Sequence, residues 1–191
     1  MKSQADFKKL KIWVWDGDPV GNTVFKKLGL KGVPLGVPEV LSGLQIGKIE
    51  AAFSSPLAAV ALQWHTQIKY IGGMPVGYGI GGMVMRKDVW ARASKADKKT
   101  QRKIGRKLSK KTIKRVRRDN ARALQAMKRG GVIVMKMPSD YQKEFEKQSK
   151  AMWKQWVGKL YSQEELDLVL KYRAEFREKN PDAPTDGGTL N

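Results

Sequence analysis

The chain reads as an α/β protein built on a mostly parallel sheet, with long helices towards its C-terminus. Three observations predict this. Short apolar runs alternate with helix-patterned stretches through the first half, which is the pattern of strands joined by crossover helices. Those stretches are punctuated by Pro near helix starts and Gly at helix ends. The second half is dominated by long segments of helical character.

Phe7 to Trp15 becomes continuously apolar and is expected to be a buried strand. Asp16-Gly17-Asp18-Pro19 marks a turn or helix start, and Val20 to Leu28 a helix with Val20, Val24 and Leu28 on one face, ended by Gly29. Val33 to Val37 is a second short strand. Pro38 opens a helix carrying Val40, Leu41 and Leu44, and Gly47 stops it. Ile49 to Phe53 has strand length. Ser54 or Ser55 then caps a helix with Pro56 at its first position. A strand running into a capped helix start is a place where backbone N–H groups and the helix dipole can hold a small ligand. Trp64 to Ile71 continues or closes that helix. Val76 to Met85 is apolar and glycine-rich, and is expected to be a strand closely approached by another backbone or a ligand.

Lys87 to Arg129 is expected to be one long helical region with a discontinuous stripe of Ile104, Leu108, Ile113, Val116, Leu124 and Met127. Gly130-Gly131 ends it, and Val132 to Met137 follows as a strand. Ser139 caps a helix over 140–159 with Tyr141, Phe145, Met152 and Trp156 as buried positions. Ser162-Gln163-Glu164-Glu165 is a capping-box pattern opening a last helix to about Arg177. The organisation expected is a ligand-binding lobe over 1–85, a basic helix and strand crossing out of it over 86–137, C-terminal helices over 138–178 and a disordered tail over 179–191.

With 191 residues, 41% of them hydrophobic, the chain is long enough for one sizeable core or two small ones. No apolar window is long enough to span a membrane, and Met1 to Lys11 lacks the apolar stretch of a signal peptide. The absence of cysteine excludes disulfides, thiolate metal sites and cysteine nucleophiles. The single histidine, His65, fits a partly exposed helical position better than a pocket wall. One histidine without cysteine does not make a zinc site. Asp16 and Asp18 flank a glycine, as turn residues do, and no nucleophile–base–orienter set assembles. No cofactor is expected, and Gly77 to Gly82 lacks the strand–turn–helix context of a dinucleotide loop. An enzyme is not the reading these residues support.

The net charge is +20. Residues 86–129 hold nineteen Lys or Arg against three acids, so sixteen of those charges lie there. The helix from Lys95 to Arg118 is therefore an alternative nucleic-acid-binding element acting through phosphate, although no recognised nucleic-acid motif accompanies it and a charged helix face is ordinarily a solvated one. Trp13, Trp15, Trp64 and Tyr78 fall near strand ends and helix starts. Each alone reads as core. Together they are the aromatic wall that a small-molecule cleft needs.

Several stretches, in order, resemble the C-terminal part of the solute-binding proteins of TRAP transporters, the DctP family, over about residues 7–177. They are Leu10-Lys11-Ile12, Val24 to Gly29, Val33-Pro34-Leu35, Pro38 to Leu41, Leu44 to Glu50, Ser54 to Ala58, Met85 to Trp90, Asp119-Asn120 with Ala123-Leu124, and Gly131-Val132. The resemblance implies a periplasmic-binding-protein type II-like lobe. It also implies a periplasmic receptor that closes on a small solute, usually an organic acid, and hands it to TRAP membrane permease subunits. A preceding lobe and signal peptide are expected to be missing, as in a fragment, a truncated reading frame or a decayed gene. In the family an arginine directly after the Leu-Lys-Ile strand grips the solute's carboxylate. Trp13 stands at that position, and an indole cannot make the bidentate contact. The family's asparagine before the corner proline is Ser55. The resemblance therefore implies Trp13 and Ser55 as solute contacts, with Trp15, Ser54, Trp64 and Tyr78 beside them, and a solute more apolar or aromatic than a simple acid.

Overall fold

The computed structural model describes residues 4–77 and 79–181. Its elements are, in order, α1 (Gln4–Lys9), β1 (Lys11–Trp15), α2 (Pro19–Leu28), β2 (Lys31–Leu35), a 3-10 turn (Val37–Glu39), α3 (Val40–Gln45), α4 (Pro56–Ala61), a second 3-10 turn (Trp64–Gln67), β3 (Tyr70–Gly72), α5 (Lys87–Arg92), α6 (Lys95–Arg129), β4 (Ile133–Met135), α7 (Ser139–Trp156) and α8 (Gln163–Lys179). They form two compact units. The first comprises Met1–Phe53, Gln63–Val76 and Val132–Asn191, and the second Ser54–Leu62 and Gly77–Gly131.

The first unit is built on two parallel strand pairs, β1 with β2 and β3 with β4. The β1–α2–β2 crossover follows from its punctuation. Asp18 accepts from the Val20 N–H at 3.0 Å and Pro19 takes the first helical position. Gly29 adopts φ 65°, the left-handed conformation that closes the helix without a Cβ clash. In register, Trp13 lies opposite Val33 and Val14 opposite Pro34. Pro34 is tolerated because β2, among the described residues, pairs with β1 alone and is an edge strand. Ile12, Trp13, Val14, Leu28, Leu35, Val40, Ile49 and Trp64 form the buried apolar core beside this sheet. On the C-terminal side, Tyr141 is buried with its ring 5.2 Å from that of Phe7. The Ser162–Glu165 capping box is made in both directions, at 2.7 and 3.1 Å.

The second unit consists of α4, α5 and the 35-residue α6. Ser55 caps α4 by accepting from the Ala58 N–H at 3.2 Å, with Pro56 at its first position. Ala123, Leu124 and Met127 are buried on α6, where its C-terminal half packs on α4.

Several elements differ from expectation. Phe7 to Lys9 belongs to α1 rather than to the first strand. Asp6 at its start and Lys8 and Lys9 at its end suit the helix dipole. Ile49 to Phe53 forms a single bridge, Ala51 to Ile12, instead of a strand. The Trp13 N–H does reach Ala51 O at 2.8 Å, but the Ser-Ser-Pro corner begins three residues later and draws the chain away. Trp64 to Ile71 does not continue α4. Gln63 takes φ 60°, breaking the helix, and a 3-10 turn leads into β3.

Residues 79–85 are not a strand. A strand needs a neighbouring backbone, and among the described residues none pairs with them. The long basic region breaks at Ala93, because Ser94 starts a new helix by accepting from the Asp97 N–H at 3.1 Å and donating to its carboxylate at 2.7 Å. Ser139 lies inside α7, with Pro138 as the preceding cap residue, and α7 stops at Trp156 rather than at 159. The tail read as disordered lies, from residue 182 on, outside the described residues.

Candidate functional site

In open parallel sheets, ligands bind beyond the carboxyl ends of the strands. At that end of β1 stands Trp15, 57% exposed. Asp16 and Gly17 follow at once, Gly17 with φ 77°. The Asp16 N–H donates to Leu35 O at 3.3 Å, joining the two strand ends. Trp15 is thus a large apolar surface held on rigid backbone and open to solvent.

The first unit also holds an aromatic cluster. Trp13 is 5% exposed and Trp64 4%. The Trp13 ring stacks on Phe53 at 5.0 Å and meets Trp64 edge-on at 5.3 Å. Phe25 adds a tilted contact to Phe53 at 6.3 Å. The Trp13 indole N–H donates to Leu35 O at 2.9 Å. Burying a tryptophan removes roughly 150–250 Å² from water, worth roughly 4–6 kcal/mol at 25 cal/mol per Å². In this conformation Trp13 therefore has its one donor committed and its ring faces against other rings. Phe53 and Phe25 were absent from the sequence-level candidates. The signal was available in the apolar run ending at Phe53, which read as a strand.

Ser54 and Ser55 belong to the second unit and are exposed. The Ser54 hydroxyl donates to Ser55 O at 3.2 Å. The donors expected at this helix start are already used. Leu57 N–H donates to Asn120 Oδ1 at 3.0 Å, Ala58 N–H to Ser55 Oγ at 3.2 Å, and Ala59 N–H to Ser55 O at 3.0 Å. Pro56 has none. The expectation that free N–H groups at the start of α4 hold a ligand is therefore corrected: side-chain caps and the helix itself satisfy them. Asn120, which anchors one of these donors, was not among the candidates either, because its partner lies 63 residues away. Tyr78 lies outside the described residues.

His65 is half-buried in the 3-10 turn beside Trp64. Among the described residues, no group of three or more His, Cys, Asp or Glu could hold a metal ion, and no helix is long and apolar enough to cross a membrane. The basic face of α6 is exposed, with Lys95, Lys99, Arg102, Arg106 and Lys110 along it. Arg102 sits 5.4 Å over the Trp90 ring. Further along, Arg118 hydrogen-bonds Asp119 at 3.1 Å and, helped by Arg115, holds its carboxyl below the usual range.

No curated protein sequence matches the chain. Among solved structures it is similar to a TRAP periplasmic solute-binding protein from Citrobacter koseri with bound D-glucuronate, at 26% identity and a TM-score of 0.69, covering 83% of this chain and 52% of that one. It also resembles the periplasmic ectoine-binding protein of a TRAP transporter from Halomonas elongata, at 17% identity and a TM-score of 0.77, covering 93% and 57%. A third is a TRAP periplasmic solute-binding protein from a Bradyrhizobium species in complex with galacturonate, at 23% identity and a TM-score of 0.72, covering 84% and 52%. The chain thus spans little more than half the length of these structures. The family model described as bacterial extracellular solute-binding protein, family 7, matches residues 1–159. With that match over most of its length, the chain belongs to the DctP family of TRAP solute-binding proteins, a family of binding proteins and not of enzymes.

Proposed function

We propose that this chain acts in the periplasm in capturing a small organic solute for a TRAP-type permease. The observation that carries the reading is the family match over residues 1–159. Structures similar to this chain hold D-glucuronate or galacturonate, and another is an ectoine-binding protein. The solute class proposed is accordingly an organic acid or a related small polar molecule with an apolar face. β1 supports the second half of that description. Its interior residues are Ile12, Trp13 and Val14, with no cation for a carboxylate, and it ends in the exposed indole of Trp15. The C–H face of a sugar ring, or an aromatic ring, stacks on an indole of this kind. Trp13 and Trp64, both buried, are proposed as rigid core of the same unit rather than as surfaces open to the solute. Ser54 and Ser55 are proposed hydroxyl contacts on the resemblance alone.

A thermal-shift screen of uronic acids, ectoine and aromatic carboxylates tests the reading. A ligand present at a hundred times its dissociation constant stabilises by about 2.7 kcal/mol, so one class should raise the melting temperature by several degrees, and Trp15→Ala should cut the rise by about half or more. No shift with any of them contradicts the reading.

A second reading rests on the exposed basic face of α6, which suits nucleic-acid phosphates. Binding of a DNA duplex that weakens steeply with salt would favour it.

A further inference from the structure

Every residue of α6 from Lys99 to Arg118 is exposed. This stretch holds eleven Lys or Arg and no Asp or Glu. Its cations recur at i and i+4, as in Arg102, Arg106 and Lys110, and like charges at that spacing destabilise a helix. The charge is nevertheless kept off one side. Residues four apart lie in rows along a helix. Ile104, Leu108, Thr112 and Val116 make one row, and Gln101, Gly105, Ser109 and Ile113 the row beside it. Neither holds a charge. The rows flanking this pair, at 103, 107, 111 and 115 on one side and at 102, 106 and 110 on the other, are Lys or Arg throughout. Ile104, Leu108 and Ile113 are each about half exposed, and Val116 nearly so.

We propose that the 99–118 stretch of α6 is an interfacial helix. It lies in the headgroup layer of an anionic lipid bilayer, with the uncharged stripe towards the acyl chains and the flanking cations among the lipid phosphates. Charge and apolarity select that occupant together. Anionic headgroups complement the eleven cations and relieve their mutual repulsion. The acyl boundary takes the Ile, Leu and Val side chains, as it does for basic amphipathic helices generally. A nucleic-acid duplex supplies the phosphates but leaves the apolar stripe in water. A second copy covers the stripe but brings two sets of eleven cations together. The helix lies on the bilayer and does not cross it, since among the described residues no helix is long and apolar enough to span a membrane. The inference stands on α6 alone and not on the choice of solute.

The test is co-flotation of the full chain with vesicles of phosphatidylglycerol and phosphatidylcholine, with pure phosphatidylcholine vesicles and a DNA duplex at equal phosphate concentration as parallel arms. No solute is present, so failure here leaves the solute reading to its own assay. The anionic vesicles should bind the chain at least about tenfold more tightly than either other probe. Arg106→Glu with Lys111→Glu, one from each flanking row, should weaken that binding by about tenfold or more. Ile104→Ser with Leu108→Ser should weaken it by a similar factor while leaving the circular dichroism melt of the chain alone unchanged. The chain has no cysteine, so Leu108→Cys and Lys103→Cys each offer one site for an environment-sensitive dye. On anionic vesicles the emission from position 108, in the stripe, should shift to the blue, and that from position 103, in a cationic row, should not. Four outcomes overturn the proposal: no binding to anionic vesicles, equal binding to neutral ones, tighter binding to the duplex, or a blue shift at 108 that self-association produces without lipid.

Discussion

The indole N–H of Trp13 donates to the carbonyl oxygen of Leu35 at 2.9 Å, a side chain of β1 tied to the backbone of β2. The same oxygen accepts from the Asp16 N–H at 3.3 Å. One carbonyl thus fixes both the buried ring and the carboxyl end of the strand that presents Trp15. Trp13→Phe keeps an aromatic ring but loses this bond and some buried area, and should cost about 1–3 kcal/mol in urea unfolding. Trp13→Arg should cost more. It would place a guanidinium against the Phe53 and Trp64 rings, which offer no carboxylate. Equal stability of the two variants would show that the ring is not core.

Gly32 lies directly under this cluster. A Cβ there would stand 3.0 Å from Val14 Cγ2 and 3.2 Å from Phe25 Cδ1. Val14 is fully buried and cannot retreat. Gly32→Ala is therefore expected to destabilise by roughly 1–3 kcal/mol, the usual cost of overpacking. The gain that alanine ordinarily brings by restricting the unfolded chain should not appear. Equilibrium denaturation measures the sign directly.

In the second unit, Asn120 is the residue on which the start of α4 depends. Its Oδ1 accepts from the part-buried Leu57 N–H at 3.0 Å, and its Nδ2 donates to Val116 O at 3.0 Å. Asn120→Ala strands the Leu57 donor and should cost about 1–3 kcal/mol. Asn120→Asp retains the acceptor and should cost less. Native-state hydrogen exchange at Leu57 should accelerate in the alanine variant and not in the aspartate one.

Burial pushes the Tyr141 hydroxyl up to about 12 from an ordinary value of 10.0. The fold favours the neutral phenol, so this contribution is fully present below pH 10. It is lost as pH rises from 10 towards 12. In a spectrophotometric titration of the five tyrosines, the last to ionise should vanish in Tyr141→Phe. The melting temperature of that variant should fall less between pH 10 and 12 than that of the parent chain.

The elements legible in the sequence are those with local chemistry. Asp18-Pro19 and Gly29 bracket α2, Ser55-Pro56 opens α4, and Ser162 with Glu165 opens α8, each through contacts within a few residues. Ser94 and Asp97 carry the same kind of signal at the start of α6, inside a stretch whose composition is helical on both sides. The illegible elements depend on distant partners. Ile49 to Phe53 and residues 79–85 both have strand composition, but pairing is supplied by other backbone, and only Ala51 finds a bridge. The candidate site divides in the same way. Aromatic residues were identifiable by type, yet exposure separates Trp15 from Trp13 and Trp64, and no spacing rule encodes that difference.

The most direct test of the account is calorimetric titration of the chain with the solute identified by the thermal-shift screen, repeated at low and high salt. Contact through ring surfaces and neutral hydrogen bonds is little screened. The account predicts one-to-one binding whose dissociation constant changes by less than about threefold between roughly 0.05 and 0.5 M salt, with Trp15→Ala weakening it by about tenfold or more, or roughly 1.4 kcal/mol. Binding that collapses with salt and is untouched by Trp15→Ala would contradict it.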